Sequence, residues 1–599
     1  MHSIAYVDIE NFRACRKVSL PLGSYTPLVG QNNTGKTSIL EAIKWALDPS
    51  ALKESDFCGD TEVITVSLKI EGIGEELLEQ IPEPKHRTAI EPFCRDGVLW
   101  VRVIANGTKK SEFQREVWEV DQPGVGEVPQ SWRSYPTGLP EAVSILLPDP
   151  LFIEAMDDVG IDLGKAKKGT TIKLLLDEIM KPVLGAHKEL RDALNTISEV
   201  LSVDGKQRSP HLVEFDKVST EYLENFFPGL ALELDLQVVN IKDFFKTGDL
   251  HVQDHVTEDR RRFDEMGTGA QRAIQMALVQ YLAEIRNPDL GAATRRPLLI
   301  DEPELYLHPQ GVTRLRKALH KLSQAGFQVL FSTHSPLMLS RENAADTVIV
   351  AQDAEGTASV RQPLRSAVKD ALESAKAQSR TLFELGNLAN IYFSEKVVLC
   401  EGKTEGRLLP LAYERLFEVS PEADGIAFVT LGSCSDIPKA LPVLRAMKIP
   451  ACAIADLDFA FLQARTGALA LLDLDGEDLG AVATVFRGLQ DSRNLSLNNM
   501  GFPQNSKSGG PSAAEAWAVF SKDGDGRQIV KSVHDSLKKK HVWVWSCGSI
   551  EDVMGDKGKS EASLAAREER LSKMDPADIA QEMPELRDCL EWIGALSSD

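Results

Sequence analysis

The chain opens with alternating apolar and polar positions (Ile4, Tyr6, Asp8, Ile9, Phe12) and then reaches the short apolar run Tyr25-Thr26-Pro27-Leu28-Val29. Alternation with a period of two predicts a half-buried strand, and a short apolar run bounded by glycine predicts a buried one. Ser38-Ile39-Leu40-Glu41-Ala42-Ile43-Lys44-Trp45-Ala46-Leu47 then places its apolar residues at helical spacing. The order strand, loop, helix is therefore written into the first 50 positions. Further alternation over Val63 to Leu68 and Val98 to Val103 predicts an antiparallel sheet. From about residue 160 to 260 the pattern turns mainly helical, as in Ile172 to Val183 and Leu190 to Leu201, and predicts an insertion. Two apolar runs too short for helices, Pro297 to Ile300 and Gln328 to Phe331, predict buried strands. A polar connector over roughly 362–390 leads to a new α/β unit that begins with a strand at Lys396 to Cys400.

This pattern divides the 599 residues into 1–159 and 261–390, two parts of one domain, around an insertion at 160–260, a possible dimerisation arm, with a last domain over 391–599. No apolar stretch approaches the ~20 residues of a membrane span, and Met1-His2-Ser3-Ile4-Ala5 lacks a signal-peptide layout, so a cytoplasmic protein without membrane contact is expected. The eight cysteines are scattered without a CxxC pair, which predicts reduced structural thiols and no zinc site. A net charge of −22 argues against a general nucleic-acid coat protein but not against a DNA enzyme, because bound divalent cations bring positive charge to an acidic site. The local basic patches are Lys165/Lys167/Lys168, Arg260-Arg261-Arg262 and Lys538-Lys539-Lys540, each of which also reads as an ordinary solvated face.

Two constellations carry chemistry. The first is Gly30-Gln31-Asn32-Asn33-Thr34-Gly35-Lys36-Thr37-Ser38. Its spacing lets backbone N–H groups, at Gly30, Asn33, Gly35 and Ser38 among others, wrap a polyphosphate at a helix N-terminus. Lys36 is placed to reach the β- and γ-phosphates and the Thr37 hydroxyl to coordinate Mg²⁺ or Mn²⁺. Asp301 and Glu302 end the apolar strand Pro297 to Ile300, where Asp301 suits the cation and Glu302 the orientation of the attacking water. His334 follows the next strand and reads as a phosphate sensor.

The second constellation pairs Glu401 with Glu405, four apart where a strand enters a helix, and Asp456 with Asp458, two apart after an apolar run. Surface acidic pairs are common in so acidic a chain. Both pairs here follow apolar, strand-like runs, and buried-edge carboxylates without a cation are costly. Two divalent cations (Mg²⁺, Mn²⁺ or Ca²⁺) about 3.5–4 Å apart are the ligands such a set suits. The tyrosines lie outside the acidic motifs, which favours attack by water over a covalent protein–DNA link.

The first constellation resembles an ABC-type ATPase of the RecF/SMC/Rad50 branch, with Asp8-Ile9-Glu10-Asn11-Phe12-Arg13 matching that branch's N-terminal strand. Met266-Gly267-Thr268-Gly269-Ala270-Gln271 occupies the signature position but departs from the Leu-Ser-Gly-Gly pattern. The resemblance implies that Gly267 and Gly269 close over ATP bound to a second subunit. The pattern Glu401-Gly402-x-Thr404-Glu405 with Asp456-x-Asp458 resembles the Toprim fold. Taken together the chain resembles the OLD (overcoming lysogenisation defect) family of ATPase–Toprim nucleases over essentially its whole length. That resemblance implies that Glu551 and Ser549, in Gly548-Ser549-Ile550-Glu551, complete a second metal position, and that Lys557 or Lys559, the latter preferred, stabilises transition-state charge. It also implies double-stranded DNA as substrate, a homodimer or higher assembly, a helicase partner and a role in phage defence or DNA processing. The expected function is an ATP-binding, metal-dependent DNA endonuclease in which Glu401 and Asp456 are catalytic. The main rival is a RecF-like repair clamp with a non-cleaving Toprim module, and a primase-like polymerising enzyme is a further one.

Overall fold

The computed structural model of the chain describes residues 2–61, 63–79, 81–119, 128–147, 150–155, 192, 196–197, 199–201, 206–224, 251–253, 260–285, 295–340, 343–371, 390–465, 470–505, 510–555, 558 and 560–596. They form two compact units. One comprises Met1–Phe12, Pro21–Tyr25 and Thr37–Thr333, and the other Arg13–Leu20, Thr26–Lys36 and His334–Asp599.

In the first unit the alternating segments pair as expected. Ser3–Phe12, Ile64–Glu71, Val98–Ala105, Phe113–Trp118 and Trp132–Ser134 are successive antiparallel neighbours, with Ile9 opposite Val66 and Leu68 opposite Val101. The same unit holds three parallel strands, with Arg296–Ile300 between Leu151–Ile153 and Phe327–Thr333. All seven residues of Phe327–Thr333 are buried, and the one polar side chain near its start, Gln328, donates to the carbonyls of Ile4 and Gly23. Helix Pro309–Gln324 buries Val312, Leu315, Leu319 and Leu322, one apolar stripe at helical spacing.

Of the expected insertion at 160–260, the described residues include the helix Pro210–Glu224. They also include a short antiparallel pairing of His251–Gln253 with Arg260–Arg262, where the pattern predicts mainly helix. The three arginines are exposed, so no apolar stripe fixes a helix there. The repeat at 172–183 and Lys165, Lys167 and Lys168 lie outside the described residues, as does half of the repeat at 190–201.

In the second unit, Tyr25–Val29 from Thr26 onward runs parallel to Val348–Gln352, with Leu28 opposite Val348, and Ala358–Val360 adds an antiparallel edge. The connector contributes helix Leu364–Ala371, and residues 372–389 are outside the description. The C-terminal region then builds a four-stranded parallel sheet in the order Ile426–Thr430, Lys396–Cys400, Ala451–Ala455, Val542–Val544. Its central strand is buried on both faces. Val397 and Leu399 join a core with helix Ile437–Ala446, whereas Val398 and Cys400 face a core built by Lys403–Phe417 and the C-terminal helices. Because the strands are parallel, their C-terminal ends share one edge, where open α/β sheets place their ligands. Among the described residues no helix is long and apolar enough to cross a membrane.

An aromatic cluster anchors the segment between the last two strands of this sheet. Phe486 lies 4.7 Å from Phe520 and 4.8 Å from Trp517, and Phe461 stacks 4.9 Å from Trp517, between ring centroids. Phe486 is fully buried, so Phe486→Ala is expected to lower unfolding stability by about 3–5 kcal/mol, measured by chemical denaturation. A loss below about 1 kcal/mol would mean that the cluster does not anchor this segment.

A candidate nucleotide site and a candidate metal centre

The glycine-rich loop begins where the buried strand Tyr25–Val29 ends. Gly30 has φ +151°, and a Cβ there would lie 2.0 Å from the Val350 carbonyl oxygen, so only glycine fits. Gly35 has φ +98° and would bring a Cβ to 2.7 Å from that of Ala358. Asn33 takes up a left-handed conformation at φ 62°, and its carbonyl accepts from Gln352 Nε2 at 2.9 Å. Lys36 is buried and folds onto its own loop, with Nζ donating to the carbonyls of Gln31 at 2.6 Å and Gly30 at 3.1 Å.

In the first unit, Thr37 Oγ1 donates to both carboxylate oxygens of Asp301, at 3.1 and 3.0 Å. The pairing of a loop hydroxyl with a strand-end carboxylate is the arrangement expected to share one Mg²⁺. Ser38 follows in the first turn of helix Lys36–Leu47. The parallel register sets Ile300 opposite Phe331, so Asp301 emerges beside Ser332, whose hydroxyl donates to Asp301 and accepts from the Glu302 N–H at 2.9 Å. Glu302 itself has φ 45°. Thr333 Oγ1 donates to Glu304 Oε1 at 2.7 Å, and His334 follows directly at the end of that strand.

Arg272 has no direct counterpart among the residues predicted from sequence. It lies in the first turns of helix Thr268–Ile285, is fully buried, and donates to the carbonyls of Asp301 at 2.6 Å, Glu302 at 2.7 Å and Glu154 at 3.0 Å. Burial lowers its pKa to about 10, opposed by the charges of Asp301, Glu304 and Glu302, so the guanidinium stays ionised at neutral pH. Gly267 precedes that helix at an exposed position and Gly269 lies in its first turn. The sequence signal for Arg272 is a lone cation in an otherwise apolar and amide-rich helix; those for Ser332 and Thr333 are hydroxyls ending the strand next to Asp301.

In the second unit the acidic residues gather at the C-terminal edge of the parallel sheet. Glu401 directly follows strand Lys396–Cys400, and its Oε2 accepts from the Asp456 N–H at 3.1 Å. Glu405 is buried in the first turn of helix Lys403–Phe417, where its Oε2 accepts from the Gly402 N–H at 3.2 Å. The two flank the strand-to-helix junction, near enough for the Glu401 charge to act on Glu405. Asp456 and Asp458 differ from the expected strand-end pair: the strand stops at Ala455, and Asp458 opens the short helix Asp458–Leu462. A helical turn rather than strand alternation therefore sets the geometry of the pair.

The last element is tied in by two contacts. Leu457 N–H donates to the Gly548 carbonyl at 2.8 Å, and Thr404 Oγ1 donates to Glu551 Oε1 at 3.2 Å. Ser549 caps helix Ile550–Met554 and its hydroxyl donates to Asp552 Oδ2 at 2.9 Å, so it is engaged within its own turn. Cys434, which sequence reasoning treated as merely structural, sits beside this cluster. Burial and the charges of Glu401 and Asp458 push its thiol up to about 12. Lys557 and Lys559 lie outside the described residues.

Electrostatics shows what this cluster lacks. Burial, then repulsion from Glu401 and Glu551, raises Glu405 to about 7. Burial and the charges of Glu405, Glu401, Asp458 and Glu551 raise Asp456 well above the usual carboxylate range. Asp456 Oδ1 is buried with no hydrogen-bond partner among the described residues. Among those residues no three acidic, histidine or cysteine side chains are already gathered as metal ligands. The acidic set fits hard divalent cations by its donor chemistry and its uncompensated charge, and cation binding would draw the carboxylates inward.

A carboxylate raised in the folded state favours folding at low pH, and that contribution is lost as pH rises through the raised value. A cation competes with the proton for the same oxygens. Mg²⁺ is therefore expected to raise Tm more at pH 8 than at pH 6, and Glu405→Gln to reduce that difference. An equal Mg²⁺ shift at both pH values, by differential scanning fluorimetry, would contradict this account of the cluster.

Comparison with known proteins agrees with these two sites. Residues 392–458 match the model for the overcoming lysogenization defect protein-like TOPRIM domain, and residues 3–86 and 107–339 match an AAA ATPase domain model. The Old nuclease of Escherichia phage P2 is 31% identical over 598 residues, covering 98% of this chain and 99% of that protein. The OLD nuclease of Thermus scotoductus is 24% identical, covering 76% of this chain and 81% of that protein. The endonuclease GajA of Bacillus cereus is 24% identical, covering 69% and 68%. An ATPase domain that carries a nucleotide loop, a Toprim domain with its acidic edge and a full-length relative at this identity place the chain in the OLD family of ATPase–Toprim nucleases.

Proposed function

We propose that this nuclease is an ATP-binding, divalent-metal-dependent DNA endonuclease that hydrolyses phosphodiester bonds of double-stranded DNA by a two-metal mechanism. The observation that carries the reading is Asp456, whose Oδ1 is buried without a partner while Glu401, Glu405, Asp458 and Glu551 all press on its charge. Two divalent cations, when bound, supply water activation and stabilisation of the leaving oxygen. Glu401, Glu405, Asp456, Asp458 and Glu551 are the residues that would hold them. The Asp456 N–H fixes Glu401, and Thr404 fixes Glu551, so the ligands keep their orientation as DNA enters. Ser549 supports the last ligand by capping its helix. Lys559, or Lys557, is proposed to neutralise charge on the phosphate, a role that rests on the sequence motif.

The ATPase half is proposed to bind ATP with Mg²⁺ through Gly30, Asn33, Gly35, Lys36, Thr37, Ser38 and Asp301, with Glu302 orienting the attacking water and His334 sensing the γ-phosphate. The exposed Gly267 and Thr268 at the start of their helix support closure over nucleotide on a second copy, hence a homodimer or larger assembly. Membership of the OLD family supports a role in phage defence or DNA processing.

Supercoiled-plasmid cleavage in Mg²⁺ or Mn²⁺ tests the reading. Glu401→Ala and Asp456→Ala are expected to lose activity by about 100-fold or more while still binding ATP. Lys36→Ala is expected to lose nucleotide binding while remaining folded. Metal-independent cleavage, or full cleavage by Glu401→Ala, would refute the reading; ATP binding without any cleavage by wild type would favour the clamp-like ATPase.

A further inference from the structure

The Lys36 ammonium that awaits a phosphate holds the Gln31 carbonyl at 2.6 Å. The side chain of the same Gln31 points the other way in its interactions: its Nε2 donates to Glu395 Oε1 at 2.8 Å. Glu395 immediately precedes the strand Lys396–Cys400, and Glu401 immediately follows it. That strand is buried from Val397 to Cys400 between two cores, so a strain applied at one end is passed on with little compression. Where the strand begins, the Glu395 and Lys396 N–H groups both donate to the Gly425 carbonyl, at 2.8 and 3.0 Å. Gly425 is left-handed, at φ +68°, and a Cβ on it would stand 3.0 Å from the Glu395 Cβ. Glu395 is exposed, runs alongside Gly425 and borders a cavity of about 220 Å³ lined also by Gln31, Thr34, Arg361, Tyr392 and Lys396. Arg361 attracts Glu395 across that cavity.

We propose that Gln31 and Glu395 are positioning residues through which the state of the nucleotide loop reaches Glu401. Without nucleotide, Lys36 pins the Gln31 main chain and Gln31 holds Glu395. A polyphosphate draws Lys36 off the Gln31 carbonyl, the loop relaxes, and Glu395 exchanges the Gln31 amide for the Arg361 guanidinium. The cavity supplies the room for that exchange. The strand behind Glu395 carries the change to the Glu401 carboxylate, and through the Asp456 N–H to the rest of the acidic edge. One bonded partner, Gln31, and a guanidinium lining the same cavity, Arg361, give the carboxylate the two alternative positions that a coupling between sites requires.

This inference rests on the nuclease reading, and one experiment separates the two. Plasmid cleavage is measured with and without ATP for wild type, Glu395→Ala, Gln31→Ala and the double variant, with ATP hydrolysis and Tm recorded for each. The readout is the ratio of the two cleavage rates, which a general loss of stability does not move. Wild type is expected to show a ratio at least about fivefold from unity in either direction. Glu395→Ala is expected to bring it within about twofold of unity while Mg²⁺-dependent cleavage without nucleotide persists. The double variant is expected to show no more effect than either single one. A wild-type ratio of one, an unchanged ratio in Glu395→Ala, or additive effects would overturn the relay and leave the nuclease standing. No metal-dependent cleavage by wild type would overturn the nuclease reading and the relay with it.

Discussion

Mutual repulsion among carboxylates held at one buried sheet edge is the constraint on which the C-terminal half depends. Four parallel strands send Glu401 and Asp456 out of the same edge, and the elements that follow bring in Glu405, Asp458 and Glu551. Burial disfavours the charges of Glu405 and Asp456, and the neighbouring carboxylates add to that penalty. Protons relieve it at low pH and divalent cations relieve it at neutral pH. The main-chain donors at Asp456 and Gly402 orient the carboxylates without neutralising them. An edge built only for stability would replace these groups with apolar side chains, since well-packed hydrophobes in place of buried ions are often neutral or stabilising.

The nucleotide half solves a different problem, that of holding a few main-chain groups in place. Glycines at 30 and 35 let the loop pass against neighbouring backbone and side chains, and Asn33 tolerates the left-handed turn between them. On the strand side, Ser332 and Arg272 bind the groups around Asp301 and Glu302 rather than a ligand. Arg272 also joins the helix that follows Gly267 to the carbonyls beside the carboxylates. One buried guanidinium therefore links the start of that helix to the main chain at Asp301 and Glu302.

Much of this was legible in the sequence because it rests on period and spacing. The apolar run Tyr25–Val29, the strand Lys396–Cys400 and the Asp301 strand end all appear where their patterns predict. Glu401 and Glu405 were readable because a strand-to-helix junction fixes both. Asp458 was placed for the wrong local reason, since period-two reasoning assumes that the strand continues past Ala455. Arg272, Ser332, Cys434 and the Gln31–Glu395 contact were not readable. They depend on which segments meet in space, and single residues of ordinary type carry no period. The Ser549 hydroxyl, matched by motif, also caps helix Ile550–Met554, a role no period in the sequence marks.

The most direct test of the central claim is the anomalous difference map from a crystal of the protein soaked in Mn²⁺. The account predicts two peaks, about 3.5–4 Å apart, bounded by Glu401, Glu405, Asp456, Asp458 and Glu551. An acidic edge without an anomalous peak, in a crystal whose nucleotide site does bind Mn²⁺ with ATP, would contradict it.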